Sequence, residues 1–185
     1  MNSYTMEIAG LKRELPLCKV TDDLYIAAFI MFGDVEITKA AAAELLKRAP
    51  EHDIMITAEC KGIPLLYEMA RQAGENDYVV ARKESKLYMQ DVISTDVDSI
   101  TTDHLQSLCI GKHEQELMRG KRVLIVDDVI STGGSLKSIE SLVEKAGGII
   151  VGRMTVLAEG EAISRGDITY LAELPVFNAD GSIKE

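Results

Sequence analysis

Two adjacent acids and a glycine loop are the residues best spaced for chemistry in this chain. Asp127 and Asp128 end the apolar run 123–126, and Ser131-Thr132-Gly133-Gly134-Ser135 follows three residues later. Carboxylates can accept hydrogen bonds from the vicinal hydroxyls of a sugar. Glycines let backbone N–H groups close around a phosphate, and the start of a helix adds a favourable dipole. The pattern therefore suits a phosphorylated sugar. A second short loop, Glu59-Cys60-Lys61-Gly62, stands directly before Ile63-Pro64. A loop that joins a strand to a helix start is again an anion site, and Lys61 adds positive charge to it.

The elements that must carry these loops can be read from periodicity. Residues 123–126 predict a buried parallel strand that delivers its two acids at the carboxyl edge of a sheet. Leu136, Ile139, Leu142, Val143 and Ala146 predict a helix with one buried face, ended by Gly147-Gly148. Residues 53–58 read as another buried strand. The helix 63–73 after it has proline in its first turn and Gly74 just past its end. Further strands are expected at 78–81, 105–110, 149–158 (on the flank of the sheet) and 168–174, with a short polar helix at 113–118. Near the start, Leu15-Pro16-Leu17 reads as a break in regular structure and Gly33-Asp34 as a turn. Thr38 is expected to cap an alanine-rich helix that runs to Arg48 and is stopped by Pro50. Residues 87–103 lack periodicity and read as a long loop. Strands alternating with helices imply an α/β fold, a mostly parallel open sheet flanked by helices, with ligands beyond the strand carboxyl ends.

The stretch V-L-I-V-D-D-V-I-S-T-G-G-S resembles the phosphoribosyl pyrophosphate (PRPP) signature of type I phosphoribosyltransferases, and is closest to their adenine-specific branch. The resemblance covers about residues 50–177 and is most specific at this signature. It implies that Asp127 and Asp128 serve as catalytic residues on the ribose hydroxyls, and that Ser131, Thr132, Gly133, Gly134 and Ser135 bind the 5′-phosphate. The loop Glu59, Cys60, Lys61 and Gly62 would hold pyrophosphate, often through a strained non-proline peptide. Many members have Ser-Arg-Gly where this chain has Cys60-Lys61-Gly62, and lysine lacks the bidentate fork of arginine. Arg82, Lys83 and Lys86 match a basic pattern whose members reach pyrophosphate, one of them across a dimer interface, and Lys86 is counted with the catalytic set. Ser99, Thr101 and Thr102 fall where the family has a lid that excludes water; a glutamate-tyrosine pair common there is absent from this chain. Mg²⁺ is the implied cofactor, held mainly through PRPP and by Asp127 and Asp128 through water, with no direct protein ligand set assigned.

The expected reaction is purine salvage, adenine and PRPP giving AMP and pyrophosphate. The same chemistry on xanthine, hypoxanthine or guanine stays open, as does a non-catalytic PRPP-sensing regulator. A Rossmann-type nucleotide binder is excluded because the glycine loop follows two aspartates and lacks G-x-G-x-x-G. The 185 residues read as one domain, and the resemblance implies a core of about 36–158 with a small hood over the base from about 1–35 and 159–185. Tyr170 and Phe177 are candidates to line the base pocket. The net charge of −10 disfavours nucleic acid and anionic membranes as partners. Leu24 to Phe32, the most apolar N-terminal run, is too short to span a bilayer, and residues 1–15 lack a signal-peptide core. Cys18, Cys60 and Cys109 read as reduced thiols, so a cytoplasmic enzyme is expected, and the resemblance adds a homodimer. His52, His104 and His113 read as surface residues.

Overall fold

The computed structural model describes residues 3–97 and 106–184. Its centre is a five-stranded, wholly parallel sheet made by β4 (Ile54–Ala58), β5 (Val79–Ala81), β8 (Arg122–Ile130), β9 (Ile149–Glu159) and β10 (Thr169–Leu174), in the order β10-β9-β8-β4-β5. The central strands are apolar at successive positions because both faces are covered. Met55, Leu124 and Val126 pack with α1 (Val35–Leu46) and α2 (Ile63–Ala73). Their sequence neighbours Ile54, Ile56, Val123 and Ile125 pack on the other face with α4 (Gly134–Lys145) and Met118 of α3 (Lys112–Met118). This alternation is the period of two expected of strands, here with both faces buried.

A second sheet has the order β1-β2-β3-β11, from β1 (Ser3–Ile8), β2 (Leu11–Thr21), β3 (Leu24–Ala27) and β11 (Val176–Phe177). It joins the two ends of the chain, because Val176 pairs with Ile26 and Phe177 with Tyr25. β10 itself belongs to the parallel sheet, so the return to this smaller sheet is made after Leu174. A hairpin of β6 (Ile93–Val97) and β7 (Gln106–Ile110) packs on the α4 side of the core through Ile93, Leu108 and Ile110, and a backbone bridge links Arg82 to Cys109.

Several expectations are corrected. Pro16 does not break the chain but lies within β2, opposite the first residue of β1, and its carbonyl still accepts from the Ala28 N–H at 2.9 Å. The first helix is capped by Asp34, whose Oδ1 accepts from the Ile37 N–H at 3.0 Å. Thr38 lies inside that helix and donates its hydroxyl back to the Asp34 carbonyl. Residues 93–97, expected as loop, form β6, since pairing with β7 satisfies a backbone that its polar side chains did not advertise. β9 lies between β8 and β10 rather than at the flank. His52 is largely covered, its Nε2 3.0 Å from Glu75 Oε1.

Candidate functional site

The site is built where β8 and β4 end side by side. Strand β8 continues to Ile130, so its two acids lie inside the strand rather than at its last position. Asp127 keeps step with Val123 and Ile125, and Asp128 with Leu124 and Val126, so the two residues start from opposite faces of the strand, yet their carboxyl groups stay close enough to interact. Asp127 Oδ1 accepts from the Asp128 N–H at 2.9 Å. Asp128 is buried, and its Oδ2 stands 3.2 Å from Lys61 Nζ. That approach is a charge contact and not a hydrogen bond, so the buried Oδ2 retains acceptor capacity. Asp127 keeps part of its surface exposed, yet its carboxyl group is enclosed by protein. Enclosure first, and the neighbouring charge of Asp128 second, push it well above the usual carboxylate range.

The loop after β4 turns back onto this pair. A cis peptide joins Glu59 to Cys60, and Gly62 and Pro64 lead into α2. A side chain at Gly62 would meet Thr57 Oγ1 at 2.2 Å and Asp127 Oδ1 at 3.0 Å, so only glycine lets the loop pass so close to the acids. Glu59 holds the next strand end in place. Its carboxylate accepts from the Lys83 N–H at 3.1 Å and faces Arg82 Nη1 at 3.4 Å, and these contacts lower its pKa, the Lys83 N–H foremost. The loop after β8 closes the other side. Gly133 takes the left-handed conformation, φ +79°, at the start of α4.

Two cavities result. One of about 60 Å³ is enclosed by Ser131-Thr132-Gly133-Gly134-Ser135 with Asp127. The other, about 180 Å³, is lined by Glu59, Cys60, Lys61, Lys83, Asp127 and Asp128. Asp127, Val129 and Ser135 border both, so the cavities are adjacent. The sequence-predicted residues therefore converge, with exceptions. Arg82 is turned toward Glu59 and the Tyr88 hydroxyl. Lys86 lies outside the lining and pairs with Glu84 at 3.5 Å. Phe177 is buried against Tyr4, with ring centroids 5.0 Å apart, and Tyr170 bonds Glu173. Ser99, Thr101 and Thr102 lie outside the described residues.

Three residues escaped sequence reasoning. Thr57 is the one hydroxyl in the apolar strand I-M-I-T-A, and it abuts Gly62. Glu159 ends β9 with its pKa raised by burial, and Lys61 is the charge that acts on it. Arg165 rests against Gly133. Thr57 had a signal, a polar residue in a buried run. The other two had none, because they arrive from distant parts of the chain.

The arrangement can hold an acidic ligand at both ends and hydroxyl groups between them. The phosphoribosyl transferase domain family matches residues 33–174. An adenine phosphoribosyltransferase of Petrotoga mobilis is 34% identical over 97% of this chain and 95% of its own length. The crystal structure of adenine phosphoribosyltransferase from Thermoanaerobacter pseudethanolicus superposes with a TM-score of 0.64, at 25% identity, over 76% of this chain and 82% of that one. A purine biosynthesis transcriptional repressor of Bacillus subtilis is 28% identical over 61% of this chain but only 38% of its own length.

Proposed function

The chain belongs to the phosphoribosyl transferase family, and from that premise we propose that it transfers the phosphoribosyl group of PRPP to adenine, giving AMP and pyrophosphate. The observation that carries this reading is the adjacency of the two cavities, which share Asp127 and Ser135 in their walls, with Lys61 3.2 Å from Asp128. One ligand with a phosphate at one end and a pyrophosphate at the other fits that layout. The loop 131–135 takes the 5′-phosphate through backbone N–H groups and hydroxyls. Asp127 and Asp128 hold the ribose hydroxyls. Lys61 and Lys83 face the departing pyrophosphate, and Arg82 and Lys86 supply further charge around it. A ring nitrogen of the base attacks C1 as the C1–oxygen bond to pyrophosphate breaks; the electron pair leaves with pyrophosphate, and the proton of the base's ring N–H passes to pyrophosphate or water. Positioning and charge stabilisation perform most of this work, so no protein nucleophile is needed.

The residues also fit Mg²⁺. Two carboxylates, one with a buried oxygen free to accept, suit an ion that binds one or two protein acids and mostly substrate oxygens. No cluster of three ligating side chains occurs among the described residues. Asp127 and Asp128 would hold the ion through water, and it would offset charge on the PRPP oxygens. We place the enzyme in the cytoplasm, in keeping with its three free thiols, and read it as a homodimer.

The test is pyrophosphate release from PRPP and Mg²⁺ with adenine, hypoxanthine, guanine, xanthine and orotate supplied separately. Release with adenine is the expected result. Release with a different base keeps the chemistry and overturns the specificity. Tight PRPP binding without release would favour a regulator, the reading to which the similarity with the Bacillus repressor lends weight.

A further inference from the structure

The phosphate loop has an electrostatic deficit. Residues 131–135 carry no basic side chain, and the whole chain has a net charge of −10. A phosphate monoester brings about −1.5 to −2 at neutral pH. The N-terminus of α4 offers only about half a positive charge against it. A full cation near this loop would offset the remaining charge, and the fold brings one from 30 positions further on.

Arg165 follows a 3₁₀ turn, Gly160–Ser164, at the end of β9. Its guanidinium is held from one side, Nε donating to Asp167 Oδ1 at 2.9 Å and Nη2 to Asp167 Oδ2 at 2.7 Å. This fork leaves Nη1 uncommitted to Asp167. A Cβ placed on Gly133 would stand 3.0 Å from that Nη1, so the free end of the guanidinium lies against the third residue of the phosphate loop. The anchor is itself tied to α4, the helix that the loop begins. Asp167 Oδ2 is 3.6 Å from Arg153 Nε, and Arg153 is ion-paired with Glu140 of α4. Residue, anchor and loop thus share one framework.

We propose that Arg165 is a further binding residue for the 5′-phosphate, its Nη1 donating to a phosphate oxygen seated in the loop 131–135, with Asp167 as the positioning residue that aims it. The proposal rests on the reading of the site as a PRPP site. It also gives Gly133 a second role, since any side chain there would separate the guanidinium from the loop. A planar guanidinium fits such a division of labour because two of its nitrogens can be fixed while the third stays available.

The experiment is calorimetric titration of ribose 5-phosphate and, separately, of pyrophosphate with Mg²⁺, on the full-length wild-type protein and on Arg165→Met and Arg165→Lys, each first shown to unfold cooperatively. Methionine keeps the packing stem and removes the charge. Arg165→Met is expected to weaken ribose 5-phosphate about tenfold, roughly one charge-assisted hydrogen bond, with pyrophosphate binding unaltered. Its affinity for ribose 5-phosphate should also fall less steeply between low and high salt. Arg165→Lys should recover part of the loss. Wild-type affinity in Arg165→Met overturns the proposal, and so does an equal loss for both ligands, which would mark a general disturbance of the site. If the wild-type protein binds neither ligand, the PRPP reading fails and takes the proposal with it. If it binds both but transfers to no base, only the catalytic reading fails.

Discussion

Asp127 is where ligand binding and stability pull in opposite directions. Enclosure of its carboxyl group, then the charge of Asp128, raise its pKa to about 8. In the unfolded chain an aspartate titrates near about 4. Between those values the folded protein keeps a proton that the unfolded chain has released. The group's stabilising contribution is therefore complete below about pH 4 and is lost as pH rises toward 8. Asp127→Asn removes this penalty while leaving the shape. Its melting temperature should exceed that of the wild type by roughly 2–4 °C at pH 8 and differ little at pH 4. Turnover should drop at least about tenfold, since asparagine cannot ionise to the carboxylate that accepts from the ribose hydroxyls. Thermal unfolding of both proteins at the two pH values checks the sign. An equal difference at both values would show that the carboxyl group is not held protonated.

At the scale of elements, the corrected cap of α1 makes a ranking that can be measured. Asp34 accepts from the Ile37 N–H and also from Arg13 of β2, at 2.6 Å and 3.1 Å, so it joins the helix start to the smaller sheet. Thr38 only returns a bond to a backbone carbonyl that the helix already uses. Asp34→Ala should cost about 1–2 kcal/mol in denaturant unfolding, and Thr38→Val clearly less, with catalysis retained in both. The reverse order would restore Thr38 as the cap. The elements that were legible share a physical cause. Strands buried on both faces leave continuous apolar runs, and α2 is bracketed by Pro64 and Gly74. The hairpin of β1 and β2 was not legible. Tyr4, Met6 and Ile8 do alternate with exposed residues, but the turn has Ala9 at positive φ before Gly10, where Asn or Asp would have announced it. β6 is equally quiet, its I-S-T-D-V lacking a clear apolar face. Within the site, the loops at 59–62 and 131–135 could be read because each is a contiguous strand-to-helix turn. The pairing of Lys86 with Glu84, and the approach of Arg165 to Gly133, depend on side-chain packing that linear spacing does not encode.

The whole molecule must attract a polyanion while carrying a net charge of −10, and it does so by concentrating cations at the carboxyl ends of β4 and β5. Lys61 and Lys83 border the cavity, and Arg82 sits just behind Glu59. Lys86 is instead placed on the exposed segment that includes Leu87 and Tyr88. A basic residue near the site but outside its lining is useful if a second subunit brings it to a neighbouring cavity. The surface supports such an assembly. Ile30, Phe32, Val35 and Tyr67 are all exposed, and Val35 and Tyr67 border a groove of about 530 Å³ between α1 and α2. Apolar side chains gathered around a groove mark an interaction surface more often than scattered ones do. A homodimer should therefore sediment at twice the chain mass of 20.3 kDa. Phe32→Asp, which places a charge among these side chains without touching the acids or the phosphate loop, should shift it to the single-chain mass. If Lys86 serves a partner's site, the monomeric variant should also show a raised KM for PRPP, which Lys86→Ala reproduces while leaving the dimer intact. A wild-type protein that sediments at the single-chain mass would remove the dimer. An intact dimer in which Lys86→Ala leaves KM unchanged would remove the shared-site role and leave the assembly standing.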